Sequence, residues 1–275
     1  MTSSVRRGSG AFYRVGARGL HSVRALASSP AGPSGTYTLI CFPGAGGNAA
    51  QFQSWSDELR GTDPPEVLAY QPAGRSGRID EPAADSWLAL ISDISRNLVA
   101  LQDQVSQPCI FLGASLGASW AFEAARAAIS HRIDVAGVIA MSASSPSERA
   151  AVEARLPGHD DILRTMPELR EADPRSLPAL LEIHREAVSA DLRLLETYTA
   201  PPGRVHFPIC VIAGVDDETV KISDAERWAT MTTAECTLLL ADGDHFLFKR
   251  IHHQGVKEAV AKAIEIVRRG SFKSD

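Results

Sequence analysis

A short apolar run, Cys109-Ile110-Phe111-Leu112, is followed by Gly113-Ala114-Ser115-Leu116-Gly117 and then by a segment rich in helix formers that meets no proline before Arg126. The order reads as strand, sharp turn, helix. Such a turn forces its central residue into a strained backbone conformation. The residues two places to either side must then be glycine, because a side chain there would collide with strand or helix. Ser115 is therefore expected at the tip of the turn, at the positive end of the following helix, where a developing negative charge is stabilised.

Three other stretches give this turn a chemical reading. Upstream, Tyr37 to Phe42 reads as a buried strand that breaks into Pro43-Gly44-Ala45-Gly46-Gly47, a loop with little side-chain bulk and exposed amides. Downstream, Ile209 to Gly214 ends in Val215-Asp216-Asp217-Glu218, and Thr237 to Ala241 ends in Asp242-Gly243-Asp244-His245-Phe246. Nucleophile, acid and histidine, each just past a strand and in that order, are the pattern of an α/β-hydrolase.

From Tyr37 onward apolar runs alternate with helical patterns, which predicts an α/β fold with a mostly parallel central sheet and helices on both faces. Val67 to Tyr70 is a short strand leading into the loop Gln71 to Arg78. Asp85 is read as the cap of a helix whose Trp87, Leu90, Ile91, Ile94, Leu98 and Leu101 recur at helical spacing. Val135 to Met141 is the next strand. From 150 to 190 no strand pattern occurs, and Asp161 to Glu171 and Ser176 to Val188 read as two amphipathic helices inserted as a lid. Ser223 with Glu226 reads as a capping box, and Val256 to Val267 as the last helix. The expected organisation is an arm over 1–35, a hydrolase core over 36–149 and 191–275, and a helical lid over 150–190.

At 275 residues, 44% hydrophobic, the chain has enough apolar content for one large core with an insertion. Its formal charge of −5 and scattered Arg and Lys argue against nucleic acid, which calls for a basic stripe. Cys41, Cys109, Cys210 and Cys236 lie in or beside strands without metal-ligand spacing, so they read as small apolar residues in a reducing compartment. No apolar run reaches the roughly 18 residues of a membrane span. Residues 1–35 contain no acid and are rich in Ser and Arg (Arg6, Arg7, Arg14, Arg18, Arg24), so they read as a flexible leader of a cytoplasmic protein, with organelle import as the other meaning of that composition.

A serine hydroxyl needs a neutral imidazole to take its proton and a carboxylate to fix the imidazole tautomer. Among the histidines only His245 follows a terminal strand inside a Gly-Asp-His-Phe turn. Asp216 and Asp217 both qualify as the acid, and spacing leaves the choice between them open. The Leu116 amide follows the nucleophile and supplies one oxyanion donor; Ala45 is the best candidate for the other. The reaction class is acyl transfer to water through an acyl-serine, with no metal or organic cofactor.

These residues resemble the type II, or editing, thioesterases that accompany polyketide synthases and nonribosomal peptide synthetases. The resemblance runs from about Phe12 to Ile264. It rests on Phe42 to Gly47, on Gln71-Pro72-Ala73-Gly74-Arg75 with Arg78 and Glu81, on Gly113 to Gly117, on Ala190-Asp191-Leu192-Arg193 with Glu196 and Tyr198, and on Gly243 to Phe246. It implies that Asp217, with Val220 three places on, is the acid, that Ala45 and Leu116 form the oxyanion hole, and that Leu156 to Val188 is a mobile lid. The implied substrate is an acyl or peptidyl thioester on the phosphopantetheine arm of a carrier protein, handled by a monomer. Two features depart from the family: Ala114 stands where a histidine is common, and the leader is longer. A carboxylesterase or lipase acting on small oxygen esters, or an acyltransferase or cyclase, would use the same triad. Arg75, Arg78, Arg155, Arg164 and Arg170 are the expected basic rim for an acidic carrier.

Overall fold

The computed structural model describes residues 10–16, 19–22, 36–61, 63–102, 105–148, 159–164, 166, 169, 172–200 and 202–271. Eight strands form one sheet: β1 (Phe12–Gly16), β2 (Gly19–Ser22), β3 (Thr38–Phe42), β4 (Glu66–Tyr70), β5 (Cys109–Ala114), β6 (Val135–Met141), β7 (Ile209–Gly214) and β8 (Cys236–Ala241). Their spatial order is β2-β1-β4-β3-β5-β6-β7-β8. From β4 to β8 every neighbouring pair is parallel, and β1 joins β4 and β2 antiparallel.

Burial on both faces explains the unbroken apolar runs. In β3, Ile40 and Phe42 join the core under α1 (Trp87–Leu101) and α2 (Leu116–Ser130), while Leu39 and Cys41 join the core under Trp55 and the last helix. The same alternation runs through β5, where Phe111 faces one side and Ile110 and Leu112 the other. All loops at the carboxyl ends of the parallel strands therefore open on one edge of the sheet, the place where such folds bind ligands.

The remaining α-helices of five or more residues among the described residues are α3 (His159–Arg164), α4 (Leu177–Thr197), α5 (Ile222–Glu226) and α6 (Gln254–Ser271), and a single turn spans Trp55–Glu58. None of the helices among the described residues is long and apolar enough to cross a membrane. Ile162, Leu163, Met166, Leu169 and Val188 form a small cluster of their own, separate from the two sheet cores.

Several local expectations need correction. Phe12–Gly16 and Gly19–Ser22, expected within a loose arm, are strands; Ala11, Phe12 and Val15 are buried, and Phe12 packs edge-on against Phe42. The burial of Ala11, Phe12 and Val15, invisible beneath the Arg/Ser composition, holds β1 on the sheet. The rest of that arm lies outside the described residues. Ser86, not Asp85, caps α1: Ser86 has extended backbone and its hydroxyl accepts from the Ala89 N–H. At α5 the box expected from Ser223 and Glu226 is replaced by Asp224, whose carboxylate accepts from the Lys221 N–H. Helix α4 continues past 190 to Thr197, because Val188, Asp191 and Leu194 keep one face buried.

Candidate active site

The loops after β3, β5, β7 and β8 meet at one end of the sheet. Ser115 follows β5 with φ 50° and ψ −120°. A Cβ on Gly113 would lie 2.1 Å from the Gly117 carbonyl oxygen, and one on Gly117 would lie 2.4 Å from the carbonyl oxygens of Phe42 and Pro43. Both positions must be glycine, for the steric reason expected. The Ser115 N–H donates to Met141 O (2.8 Å), which ties the turn to the neighbouring strand.

Ser115 Oγ lies 2.9 Å from His245 Nε2, and His245 Nδ1 lies 3.0 Å from Asp217 Oδ2. Of the two adjacent aspartates, Asp216 is exposed, and the structure brings only Asp217 to the imidazole. The other Asp217 oxygen accepts from the N–H groups of Thr219 and Val220, each at 2.8 Å. With its side chain fully buried and both oxygens accepting hydrogen bonds, Asp217 fixes the ring orientation. His245 is itself largely buried, and Phe246 and Phe248 stand edge-on to its ring. Asp244 does not face the site; it pairs with Arg250 at 2.6 Å.

Ala45 and Leu116 both border a cavity of about 760 Å³ that opens at Ser115. No hydrogen bond of either backbone amide is found within the described residues, as a pair of donors waiting for an oxyanion requires. The far walls of the cavity are apolar, from Ile162 and Met166 beside α3 and Leu180, Ile183, Leu192 and Leu195 on α4. Its size suits an organic ligand of some tens of atoms, bound chiefly by hydrophobic contact.

The expected basic rim is corrected at its two anchor residues. Arg75 is buried and makes a two-pronged ion pair with Asp191, at 2.6 and 2.9 Å. Arg78 is buried between Asp93 and Glu81 and donates to the Gln71 carbonyl oxygen. Burial disfavours the charged Asp93, but hydrogen bonds from Arg78 and Tyr70 outweigh that and hold its pKa below the ordinary carboxylate range. Burial also pushes the Tyr70 hydroxyl well up, with Asp93 adding to the effect. Arg164 is exposed on α3, and Arg155 and Arg170 lie outside the described residues.

Sequence reasoning attached no structural role to Asp191, Tyr198 or Glu123. Asp191 carried a signal, since it stands in the apolar stripe of α4 three places from both Val188 and Leu194, where an unpartnered carboxylate would not be tolerated. Tyr198 stacks on Trp87 with ring centroids 3.9 Å apart, and its hydroxyl donates to Glu123 Oε1 (2.8 Å) on α2, so the end of α4 is fastened to α1 and α2.

Comparison with known proteins places this geometry among relatives. The family model described as "Thioesterase domain" matches residues 37–266. A probable cadicidin biosynthesis thioesterase of Streptomyces griseus is 31% identical over 229 residues, covering 82% of this chain and 62% of that protein. Phenyloxazoline synthase MbtB of Mycobacterium tuberculosis is 33% identical over 212 residues, covering 76% of this chain and 15% of that one. The chain thus spans under two thirds of the length of both relatives. Among solved structures, the type II thioesterase BorB from the borrelidin biosynthetic cluster superposes with a TM-score of 0.64 at 28% identity, covering 88% of this chain and 94% of its own.

Proposed function

The chain belongs to the thioesterase domain family, and on that premise we propose that it is a serine hydrolase that cleaves acyl thioesters through an acyl-Ser115 intermediate. The observation that carries this reading is the continuous line Ser115 Oγ, His245 Nε2, His245 Nδ1, Asp217 Oδ2 at the floor of an apolar cavity. His245 takes the proton as Ser115 Oγ attacks the thioester carbonyl, Asp217 stabilises the imidazolium, and the Ala45 and Leu116 amides receive the oxyanion. Collapse expels the thiol, which leaves with the proton from His245. Water, deprotonated by the same imidazole, then releases the acid and restores Ser115.

The substrate class is an acyl or peptidyl chain on the phosphopantetheine arm of a carrier protein. This rests on the naming of relatives as biosynthesis thioesterases and on the type II thioesterase whose fold this chain shares. The acyl chain lodges against α3 and α4, and these two helices act as the lid over it.

The test is a panel of acyl thioesters against oxygen esters carrying the same acyl groups. Higher kcat/KM on the thioesters throughout is expected. A consistent preference for the oxygen esters would replace this reading with that of a carboxylesterase.

A further inference from the structure

We propose that Asp191, on the lid helix α4, is a positioning residue for the oxyanion loop, so that the loop reaches its reactive shape only while α4 is docked. Asp191 is 1% exposed although it lies on a helix that otherwise covers the cavity. Its Oδ2 accepts from the Gly46 N–H at 2.8 Å and from Arg75 Nη1 at 2.9 Å, and its Oδ1 accepts from Arg75 Nη2 at 2.6 Å. Arg75 Nη1 also donates to the Gly47 carbonyl oxygen at 2.9 Å. One carboxylate and one guanidinium therefore grip the Ala45–Gly46 peptide by its N–H and the Gly47–Asn48 peptide by its carbonyl oxygen.

Among the described residues, few other contacts hold the loop in this shape. Gly46 sits at φ +70°, a conformation without intrinsic preference for a residue lacking Cβ. A Cβ there would lie 2.3 Å from Val188 Cγ2 on α4 and 2.8 Å from Met166 Cε, so the helix backs directly onto the bare peptide. Only the turn bond from Gly47 N–H to Gly44 O (2.9 Å) and the bond from Gly44 N–H to Gln51 Oε1 (3.3 Å) are made from the sheet side. If α4 lifts, the Gly46 N–H and the buried Arg75 lose their shared partner together, and the Ala45–Gly46 peptide, next to the one that bears the Ala45 amide, is free to turn. Arg75 is itself set by Gln71, whose amide donates to the Arg75 carbonyl oxygen (3.0 Å) while its Oε1 accepts from the Ala49 N–H.

This inference rests on the reading of Ala45 as an oxyanion donor, and two readouts separate the two ideas. The first is amide hydrogen exchange across residues 43–52 in the unmodified protein, Asp191→Asn and Asp191→Ala. Exchange in that peptide should rise at least tenfold in Asp191→Ala and less in Asp191→Asn, which keeps an acceptor for Gly46, while the strands β5 and β6 stay protected. The second is kinetics on a short acyl thioester. Asp191→Ala should lower kcat by about 10²-fold, the scale of losing one oxyanion donor, with KM within about twofold, and Asp191→Asn should recover part of kcat. Unchanged exchange in residues 43–52 in both variants overturns the proposal whatever the activity. Loosened exchange with undiminished kcat would refute the role in catalysis while leaving Ser115 and His245 untouched. Loss of activity in Ser115→Ala with full kcat in Asp191→Asn and Asp191→Ala likewise preserves the hydrolase reading and removes this one. Should Asp191→Ala fail to fold, the isosteric Asp191→Asn carries both measurements.

Discussion

Ser115 and His245 are held by hydrogen bonds to each other and to Asp217, and neither packs as a large core residue. Ser115→Ala and His245→Ala should each lower kcat by about 10⁶-fold in protein that still folds, and the double variant should be no worse than either single one, because they serve one step. Additive losses in single-turnover acylation would show that they do not share it. Asp217→Asn should cost about 10⁴-fold through the wrong imidazole tautomer, whereas Asp216→Asn, altering an exposed side chain, should stay within a few-fold; a kcat comparison of the pair decides. At this scale the sequence is unevenly informative. Ser115 and His245 stand out because each ends an apolar run in glycine-containing punctuation. Asp216 and Asp217 cannot be separated by spacing, since adjacent turn residues differ only in which way the backbone aims them. Arg75 reads as exposed because its acid is distant in the chain, Asp191 lying 116 positions beyond it; Arg78 has its acids nearby, Glu81 and Asp93, but its burial between them is set by the fold and not by spacing.

At the scale of elements, the turn between β5 and α2 is the most demanding piece. Gly113→Ala would drive a methyl into the backbone of Gly117 and Ala118 at 2.1 to 2.3 Å, contacts that cannot relax by side-chain rotation. A loss of more than about 3 kcal/mol, the overpacking limit, is expected in urea unfolding. Helix α4 offers a subtler case through the bond from Tyr198 to Glu123. Burial pushes the Glu123 carboxyl up from its ordinary range, against the opposing pull of the Tyr198 hydroxyl and of Arg126. The folded state thus holds that proton more tightly than the unfolded chain, so the stability it contributes is complete below the unfolded pKa and fades as pH rises through the folded one. Glu123→Gln, neutral throughout, should melt above the parent near pH 7.5, and the difference should vanish near about pH 3, below the usual glutamate range. A constant difference across that range would mean that ionisation of Glu123 is not the cause. The strands were legible from their apolar runs, and α1 from its periodicity. The caps at Ser86 and Asp224 were not, since several neighbouring polar residues meet the same rule and only backbone direction selects one.

For the whole molecule, the cavity lies beneath α3 and α4, and among the described residues the cations lining it are the buried Arg75 and Lys249. If a carrier protein presents the thioester, recognition must come from contact rather than from long-range steering by a chain of net charge −5. The expected result is a lower KM for acyl groups on a carrier than on coenzyme A, with only weak dependence on ionic strength between about 50 and 300 mM salt, a range over which screening changes strongly. Equal KM values would remove the carrier from the reading; a steep salt dependence would show steering by charge. The parallel sheet and its two-sided core were readable from alternation of apolar runs and helices. The β1–β2 pair was not, because its composition is that of a leader and its burial depends on a partner strand, β4, more than fifty positions away.

The nucleophile and its base lie 130 positions apart in the chain and are joined only through the stacking of β5, β6, β7 and β8. While the chain is being synthesised, every parallel pairing up to β6 can form with Ser115 already at its turn, yet the hydroxyl remains an ordinary alcohol until β8 has docked and carried His245 across. Reactivity at Ser115 thus arrives late, when β8 joins the sheet, and until then a nascent chain carries only a latent nucleophile.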